Sequence, residues 1–148
     1  MRLVERTIEE LNRSWNGNPW YGPSLRPMLD GITEEQARAH PLKNAHSILE
    51  LVAHSAFWME MTVKRLEGFT GEATKEQDWR DVSNLSWREA LADLEKRYTA
   101  LLDRLARLND EQMNAPARKH MTVYAVLIGV IEHNVYHAGQ IALLKKAF

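Results

Sequence analysis

The chain has 148 residues, 45% of them hydrophobic, and its 19 lysines and arginines nearly balance 20 aspartates and glutamates, for a formal net charge of −1. This size and apolar content suit one globule, so we expect a single domain over residues 1–148. The two signs of charge are interleaved, which argues against nucleic acid or an anionic membrane as a partner. Because the chain has no cysteine, any metal must be held by His, Asp or Glu.

The sequence also bears on location. No apolar run reaches the roughly 18 to 20 residues that a membrane span needs. The first residues, MRLVERTIEELNRSW, alternate charged and hydrophobic side chains, unlike a signal peptide. We therefore expect a cytoplasmic protein that does not bind a membrane.

The first predicted helix covers residues 2–15, where hydrophobic residues recur near helical spacing until Asn16-Gly17 provides a stop. Residues 18–32 are rich in proline and glycine and are expected to be mostly loop. The stretch 33–36, Thr-Glu-Glu-Gln, has the form of a capping box and predicts a short helix. A second long helix should begin after Asn44 and end at Gly68, which suits a left-handed C-terminal position.

A long crossover follows the second helix. Residues 69–85 are polar and without a clear period, and about seventeen residues at roughly 3.3 Å each could cross the length of a bundle, so the second and third long helices can be parallel. The capping box at 86–89 starts the third helix, and Thr122 caps a fourth that runs almost to the C-terminus. No segment has the pattern of a strand. We predict an all-α, four-helix bundle with one or two long crossovers.

Two histidines four residues apart, His133 and His137, lie on the apolar stripe of the fourth helix, so both should point into the bundle. Neutral rings buried side by side must each satisfy a donor and an acceptor, and two protonated rings would repel each other. A divalent metal bound by one nitrogen of each ring resolves both problems. Histidines that merely pack are the alternative. Because Asn134 follows the first histidine, the H-E-x-x-H motif of zinc peptidases is absent.

A third ligand should come from a facing helix. His54, in the apolar run LELVAHSAFW of the second helix, is the best candidate, although a lone histidine there could also be a core residue. Glu50 and Glu60 are the carboxylate alternatives. His46 is on roughly the same face as His54 but about 12 Å away along the helix, so both cannot easily bind one ion, and we expect His46 to line the mouth or the end of the helix.

Further side chains are candidates for supporting or lining the pocket. Gln140, one turn beyond His137, could support the ligands, with a surface amide as the alternative. Asn134 and Tyr136 could reach the pocket or a neighbouring helix. Trp58, one turn after His54, could wall the pocket. For these three residues packing is the alternative role.

Two segments, HSILELVAHSAFW at 46–58 and GVIEHNVYHAGQIALLKK at 129–146, resemble the DinB-like or YfiT-like family of metal-dependent four-helix-bundle enzymes, with WYGPSL at 20–25 as a weaker match. The resemblance implies an up-down-down-up bundle with its long crossover between helices 2 and 3, and a homodimer. It places the metal ligands on His54, His133 and His137. Known activities of the family imply transfer or isomerisation that depends on bacillithiol, mycothiol or glutathione.

Three neutral histidines leave coordination positions of a divalent ion open, as in a catalytic site. Nitrogen ligands select weakly among first-row metals, and we expect zinc first and nickel second. Our leading hypothesis is that the metal activates a low-molecular-weight thiol cosubstrate, which attacks a small electrophile. The alternatives are a metal-dependent hydrolase and a non-catalytic bundle that the metal stabilises.

Overall fold

Eight helices and one pair of short strands make up the chain, and the computed structural model describes all 148 residues. In chain order they are α1 (Leu3–Asn16), α2 (Leu25–Met28), α3 (Glu34–Arg38), α4 (Ile48–Leu66), α5 (Lys75–Asp78), α6 (Trp87–Ala106), α7 (Asp110–Asn114), β1 (Pro116–Arg118), β2 (Met121–Thr122) and α8 (Val123–Lys145). The all-α class is confirmed, and α1, α4, α6 and α8 correspond to the four predicted long helices. None of the helices has the length and apolar character required to cross a bilayer.

Capping residues set where the long helices begin. The predicted caps Ser86 of α6 and Thr122 of α8 are confirmed, since each hydroxyl accepts a backbone N–H three residues later. The predicted start of α4 after Asn44 is wrong. Asn44 has a left-handed backbone with φ of 62°, and the helix begins only after Ser47, whose hydroxyl and backbone N–H exchange hydrogen bonds with Glu50.

The four long helices surround one hydrophobic core. Helix α4 packs against α6 and α8, and α1 packs against the same two helices. Leucines at helical spacing on α6 are fully buried at this centre, among them Leu94, Leu101 and Leu105. The four-helix bundle itself stays a prediction, and these contacts agree with it. The up-down-down-up order of the helices and the assignment of residues 1–148 to one domain stay predictions.

The connections contain more structure than the sequence suggested. In the crossover between α4 and α6, the one-turn helix α5 packs against α4. The prediction that no strand is present is wrong, because β1 pairs antiparallel with β2 just before α8. Lys119 turns the chain between them with a positive φ of 51°. These strands have only three and two residues, too few to show a period of two.

Carboxylates of the short helices cap two of the long ones. Asp110 of α7 accepts hydrogen bonds from the N–H groups of Val4 and Leu3 at the start of α1, at 3.0 and 2.9 Å, and these bonds lower the pKa of Asp110. Glu34 of α3 accepts from the N–H of Trp87 at the start of α6, at 2.7 Å, which lowers the pKa of Glu34. Negative charge at these helix N-termini also complements the helix dipole.

We expect Asp110→Ala to lower the melting temperature at pH 7 by more than Glu111→Ala does. Both residues are acidic and lie on α7, but only Asp110 accepts the first N–H groups of α1. The pKa of Asp110 is lower in the folded than in the unfolded state, so its contribution is present above the ordinary aspartate pKa and is lost as the pH falls through the folded value. Thermal denaturation at pH 7 and pH 3 measures the difference; equal melting temperatures at pH 7 would contradict it.

Candidate metal centre

Three histidine side chains from α4 and α8 meet at one point. Nε2 of His133 lies 3.0 Å from Nε2 of His54 and 3.0 Å from Nε2 of His137. One nitrogen from each ring falls within 4.8 Å of the others. His54 and His137 are buried and His133 is half-buried. The structure therefore brings together the three residues that the sequence singled out, in a group that could hold a metal ion.

Oxygen acceptors fix the protons on two of the rings. Nδ1 of His54 lies 2.8 Å from the carbonyl oxygen of Asp78 and 3.1 Å from its carboxylate. Nδ1 of His137 lies 2.6 Å from Oε1 of Gln140. These oxygens can only accept, so the Nδ1 atoms of both rings must donate. When neutral, His54 and His137 therefore present the lone pair of Nε2 to the cluster.

These lone pairs fit a cation. Nε2 of His133 can donate its hydrogen to at most one of the two lone pairs beside it, so at least one of them has no donor in the cluster. Nδ1 of His133 is buried without a hydrogen-bond partner in the protein. A divalent cation accepts a lone pair from each ring and removes this mismatch. The all-nitrogen donor set fits zinc and nickel among other first-row ions.

Burial keeps the three histidines neutral. Burial, followed by repulsion from His137 and His54, lowers the pKa of His133 from 6.5 to about 3. Burial also lowers the pKa of His54 and of His137, although the hydrogen bonds to Asp78 and Gln140 oppose this. Lone pairs are therefore available for a metal at neutral pH without the loss of a proton.

Trp79, in the crossover, is inserted between His46, which lies just before α4, and His54 of α4. Its ring centre lies 3.5 Å from that of His46 and 3.8 Å from that of His54, with the planes within 4° of parallel. The side chain of His46 is 47% exposed, and the tryptophan separates it from the histidine cluster. His46 thus lies at the edge of the site, while Trp79 fixes the plane of His54.

Asp78 and Trp79 contact the histidine triad, and the sequence did not predict a role for either. Besides bonding to His54, Asp78 accepts a hydrogen bond from Nε1 of Trp58 at 2.7 Å. The ring of Trp58 lies 6.2 Å from that of His133, so Asp78 links two walls of the site. The signal in the sequence is a lone Asp-Trp pair within a polar crossover. Nothing in that pattern indicates which helix the pair contacts.

The other candidates on α8 have different surroundings. Asn134 is buried, and its Oδ1 has no hydrogen-bond partner in the protein. Tyr136 is 65% exposed, although its ring lies 5.2 Å from that of His137. Tyr136 therefore borders the cluster from the solvent side, whereas Gln140 contacts it directly.

The two carboxylate alternatives have partners other than the histidine triad. Glu50 accepts from the N–H of Ser47 in the capping box. Glu60 forms ion pairs with Lys64 at 2.9 Å and Arg97 at 3.2 Å. Neither is part of the group of side chains that could hold a metal.

A cavity of about 240 Å³ opens beside His133. It is lined in part by apolar side chains, among them Trp58, Val126 and Val130, and in part by polar ones, among them two arginines. A small molecule in this cavity would be in contact with one edge of the histidine cluster. Apolar walls with a few convergent polar groups are typical of small-molecule sites.

Fold and cluster together define the class: an all-α protein whose histidine triad could hold a metal ion. A family model described as the DinB superfamily matches residues 23–141, and the chain belongs to this superfamily, as its motifs indicated. The crystal structure of a conserved protein from Enterococcus faecalis is similar with a TM-score of 0.75, over 99% of this chain and 97% of that chain, at 16% identity. That similarity shows the fold alone. No functionally curated protein matches the sequence.

We expect the free energy of unfolding of the metal-free protein to fall as the pH is lowered from 7 to 5. The pKa of His133 is about 3 in the folded state, while an unfolded histidine titrates near 6.5, so only the unfolded state gains a proton in this range. The contribution of neutral His133 to the free energy of unfolding is complete above the pKa of the unfolded state and decreases as the pH falls below it. His133 alone should account for about 2 kcal/mol.

Denaturant titration in the presence of a chelator at each pH measures this slope. His133→Gln removes the titrating group and should flatten the slope by the same amount. His120→Gln, which changes an exposed histidine outside the triad, is the matched control. A slope that His133→Gln does not alter would contradict the lowered pKa of His133.

Proposed function

We propose that this protein is a metal-dependent enzyme that transfers a low-molecular-weight thiol to a small electrophile, with a divalent ion held by His54, His133 and His137. The observation that carries the proposal is the convergence of three imidazoles whose burial keeps them neutral. Zinc is the ion we expect first and nickel second. When bound, such an ion lowers the pKa of a thiol and so makes a thiolate available at neutral pH.

The residues of the chain orient the ligands and shape the site. Asp78 and Gln140 hold a hydrogen on the outer nitrogen of His54 and His137, which directs the lone pair of Nε2 inward. Trp79 stacks on His54 and restricts its rotation. The cavity beside His133, which has both apolar and polar side chains in its lining, offers space for a small electrophile.

The reaction requires no oxidant or reductant. The thiol releases its proton to solvent, and its sulfur donates an electron pair to the electrophilic carbon. A carbon–sulfur bond forms while the leaving group departs with the electron pair of the bond that breaks. The three histidines remain neutral throughout, since none of them has to carry this proton.

We expect protein purified without a tag or chelator to contain about one zinc or nickel ion per chain. Each of the variants His54→Ala, His133→Ala and His137→Ala should lose this metal, because each variant has only two of the three nitrogen ligands. Elemental analysis measures the content, and circular dichroism checks that each variant is folded. A wild-type protein that contains no metal, even after reconstitution with zinc and nickel near neutral pH, would overturn the proposal.

Two further variants test whether the loss of metal is specific to the triad and to the residue that supports it. His120→Ala removes an exposed histidine and should retain the full metal content. Gln140→Ala removes the acceptor of His137 and should weaken metal affinity by about 10- to 100-fold, the usual effect of losing such a supporting bond. Equal metal affinity in Gln140→Ala and the wild type would show that this hydrogen bond does not orient the ligand.

We expect the metal-loaded protein to conjugate monochlorobimane when bacillithiol, mycothiol, glutathione or coenzyme A is added. The rate should depend on the thiol concentration and should fall to the uncatalysed rate in His137→Ala, because the thiol is then no longer activated. Fluorescence of the conjugate measures the rate. Failure with all four thiols would overturn thiol transfer, and turnover of an ester or lactone without any thiol would assign a hydrolase instead.

A homodimer and a cytoplasmic location remain part of the proposal. Exposed apolar side chains on α8, Tyr136 at 65% and Leu143 at 60%, are compatible with contact to a second chain. They lie seven residues apart and therefore share one face of the helix, with Gly139 between them.

A further inference from the structure

The cavity beside His133 contains a buried cation without a partner. Arg65, near the C-terminal end of α4, is only 9% exposed and lines this cavity. Its Nε and Nη2 atoms are buried and have no hydrogen-bond partner in the protein. A buried charge is costly unless an opposite charge and hydrogen bonds compensate it. This side chain therefore requires an explanation that helix packing alone does not supply.

The two unpartnered nitrogens of Arg65 form one edge of its guanidinium. The N–H bonds of Nε and Nη2 are parallel and match the two oxygens of a carboxylate. The Cζ atom of Arg65 lies over the ring of Trp58, 5.1 Å from the ring centre. The tryptophan offers no oxygen acceptor, so the edge of the guanidinium is left for a ligand.

A second arginine adds positive charge to the same cavity. Arg118 of β1 also lines it, and its Nε is buried without a partner. Nη2 of Arg118 pairs with the exposed carboxylate of Glu72, which Lys119 also contacts at 3.2 Å. One carboxylate is thus shared by two cations, while Arg65 has none. The arginines consequently keep a positive charge that an anion can neutralise.

We propose that Arg65 and Arg118 bind the carboxylate of a small organic reactant, which extends along the cavity toward His133. Trp58 connects the two ends, because it contacts Arg65 on one side and has its ring 6.2 Å from that of His133 on the other. The apolar side chains in the lining of the cavity fit a short aliphatic or aromatic body. The role of this reactant rests on the proposed function, whereas the carboxylate site itself requires no metal.

Benzoate and benzamide are the probes, because they have the same shape and differ in charge. Metal-free wild-type protein should bind benzoate at least about tenfold more tightly than benzamide, as a paired carboxylate contact implies. Isothermal titration calorimetry or ligand-observed NMR measures both affinities. Arg65→Met should abolish the preference, and Arg118→Gln should reduce it. Arg104→Met, which changes a half-buried arginine that does not line the cavity, is the matched control.

A structural role for Arg65 predicts a different result. If Arg65 served only the fold, Arg65→Met would lower the melting temperature; we expect an unchanged or higher one, because the variant removes an uncompensated buried charge. Arg65→Lys retains the charge but not the paired edge and should recover only part of the benzoate preference. Equal affinity for the two probes, or a preference that persists in Arg65→Met, would overturn the carboxylate site.

Because these titrations use metal-free protein, their outcome is independent of the proposed function. A protein that binds no metal but still prefers benzoate would overturn the proposed function and support this inference. A protein with a full metal complement and no benzoate preference would overturn this inference and leave the proposed function standing.

Cobalt-substituted protein shows which reactant carries the carboxylate. The probes are 3-mercaptopropionate and 3-mercapto-1-propanol, and the readout is the absorption band of a thiolate on cobalt. If the thiol carries the carboxylate, the acid should produce the band at a concentration about tenfold lower than the alcohol does, and benzoate should compete with it. If the electrophile carries the carboxylate, the two thiols should produce the band at similar concentrations, and benzoate should bind together with either thiol. Both outcomes support the site and assign its occupant.

Discussion

The close approach of three imidazole nitrogens is the main physical constraint in this structure. His54 and His137 each have an outer nitrogen committed to an oxygen acceptor, so both direct a lone pair at the Nε2 atom of His133. Rings arranged in this way cannot satisfy one another by hydrogen bonding alone. Neither can they relieve the mismatch by taking up protons, because burial lowers all three pKa values. A cation is the simplest partner for such an arrangement.

The fold holds these rings at fixed positions through several independent elements. The pair on α8 is separated by one helical turn, which places both rings on one face whatever surrounds them. His54 comes from α4, which packs directly against α8. The crossover then returns to α4, where Asp78 bonds to His54 and Trp79 stacks on it. Because the crossover orients one ring of the triad, its length serves more than the connection of two helices.

The sequence predicted what depends on local periodicity and on short capping patterns. The capping box that begins at Ser86 correctly predicted the start of the third long helix, α6, at Trp87. On α8 the prediction was less complete: Ile131 and Ala138 are buried although they lie off the predicted stripe. This helix contacts α1, α2, α4, α7 and the strand pair, so a single apolar face does not describe it.

In the candidate site, too, the residues that local sequence patterns indicate were predicted, and those that depend on long-range contacts were not. The spacing of His133 and His137 is local information, and the apolar run around His54 indicated that it faces inward. Asp78 and Trp79 were missed because their contacts cross more than twenty residues of chain and follow no period. Arg65 was missed for another reason. A basic residue in the last turn of a helix ordinarily complements the helix dipole at the surface, and only the folded chain shows that this one is buried.

Electrostatics connects the two ends of the cavity. A divalent ion at the histidines and the guanidinium of Arg65 would repel each other across an apolar wall, where the effective dielectric constant is lower than in water. A reactant that carries one negative charge at each end, on sulfur or oxygen near His133 and on a carboxylate near Arg65, relieves the repulsion at both. The free energy gained is larger than for either contact alone, since each end neutralises a charge that disfavours the other. With a metal at the histidines, two cationic centres would lie on either side of Trp58 and would together favour a ligand with a negative charge at each end.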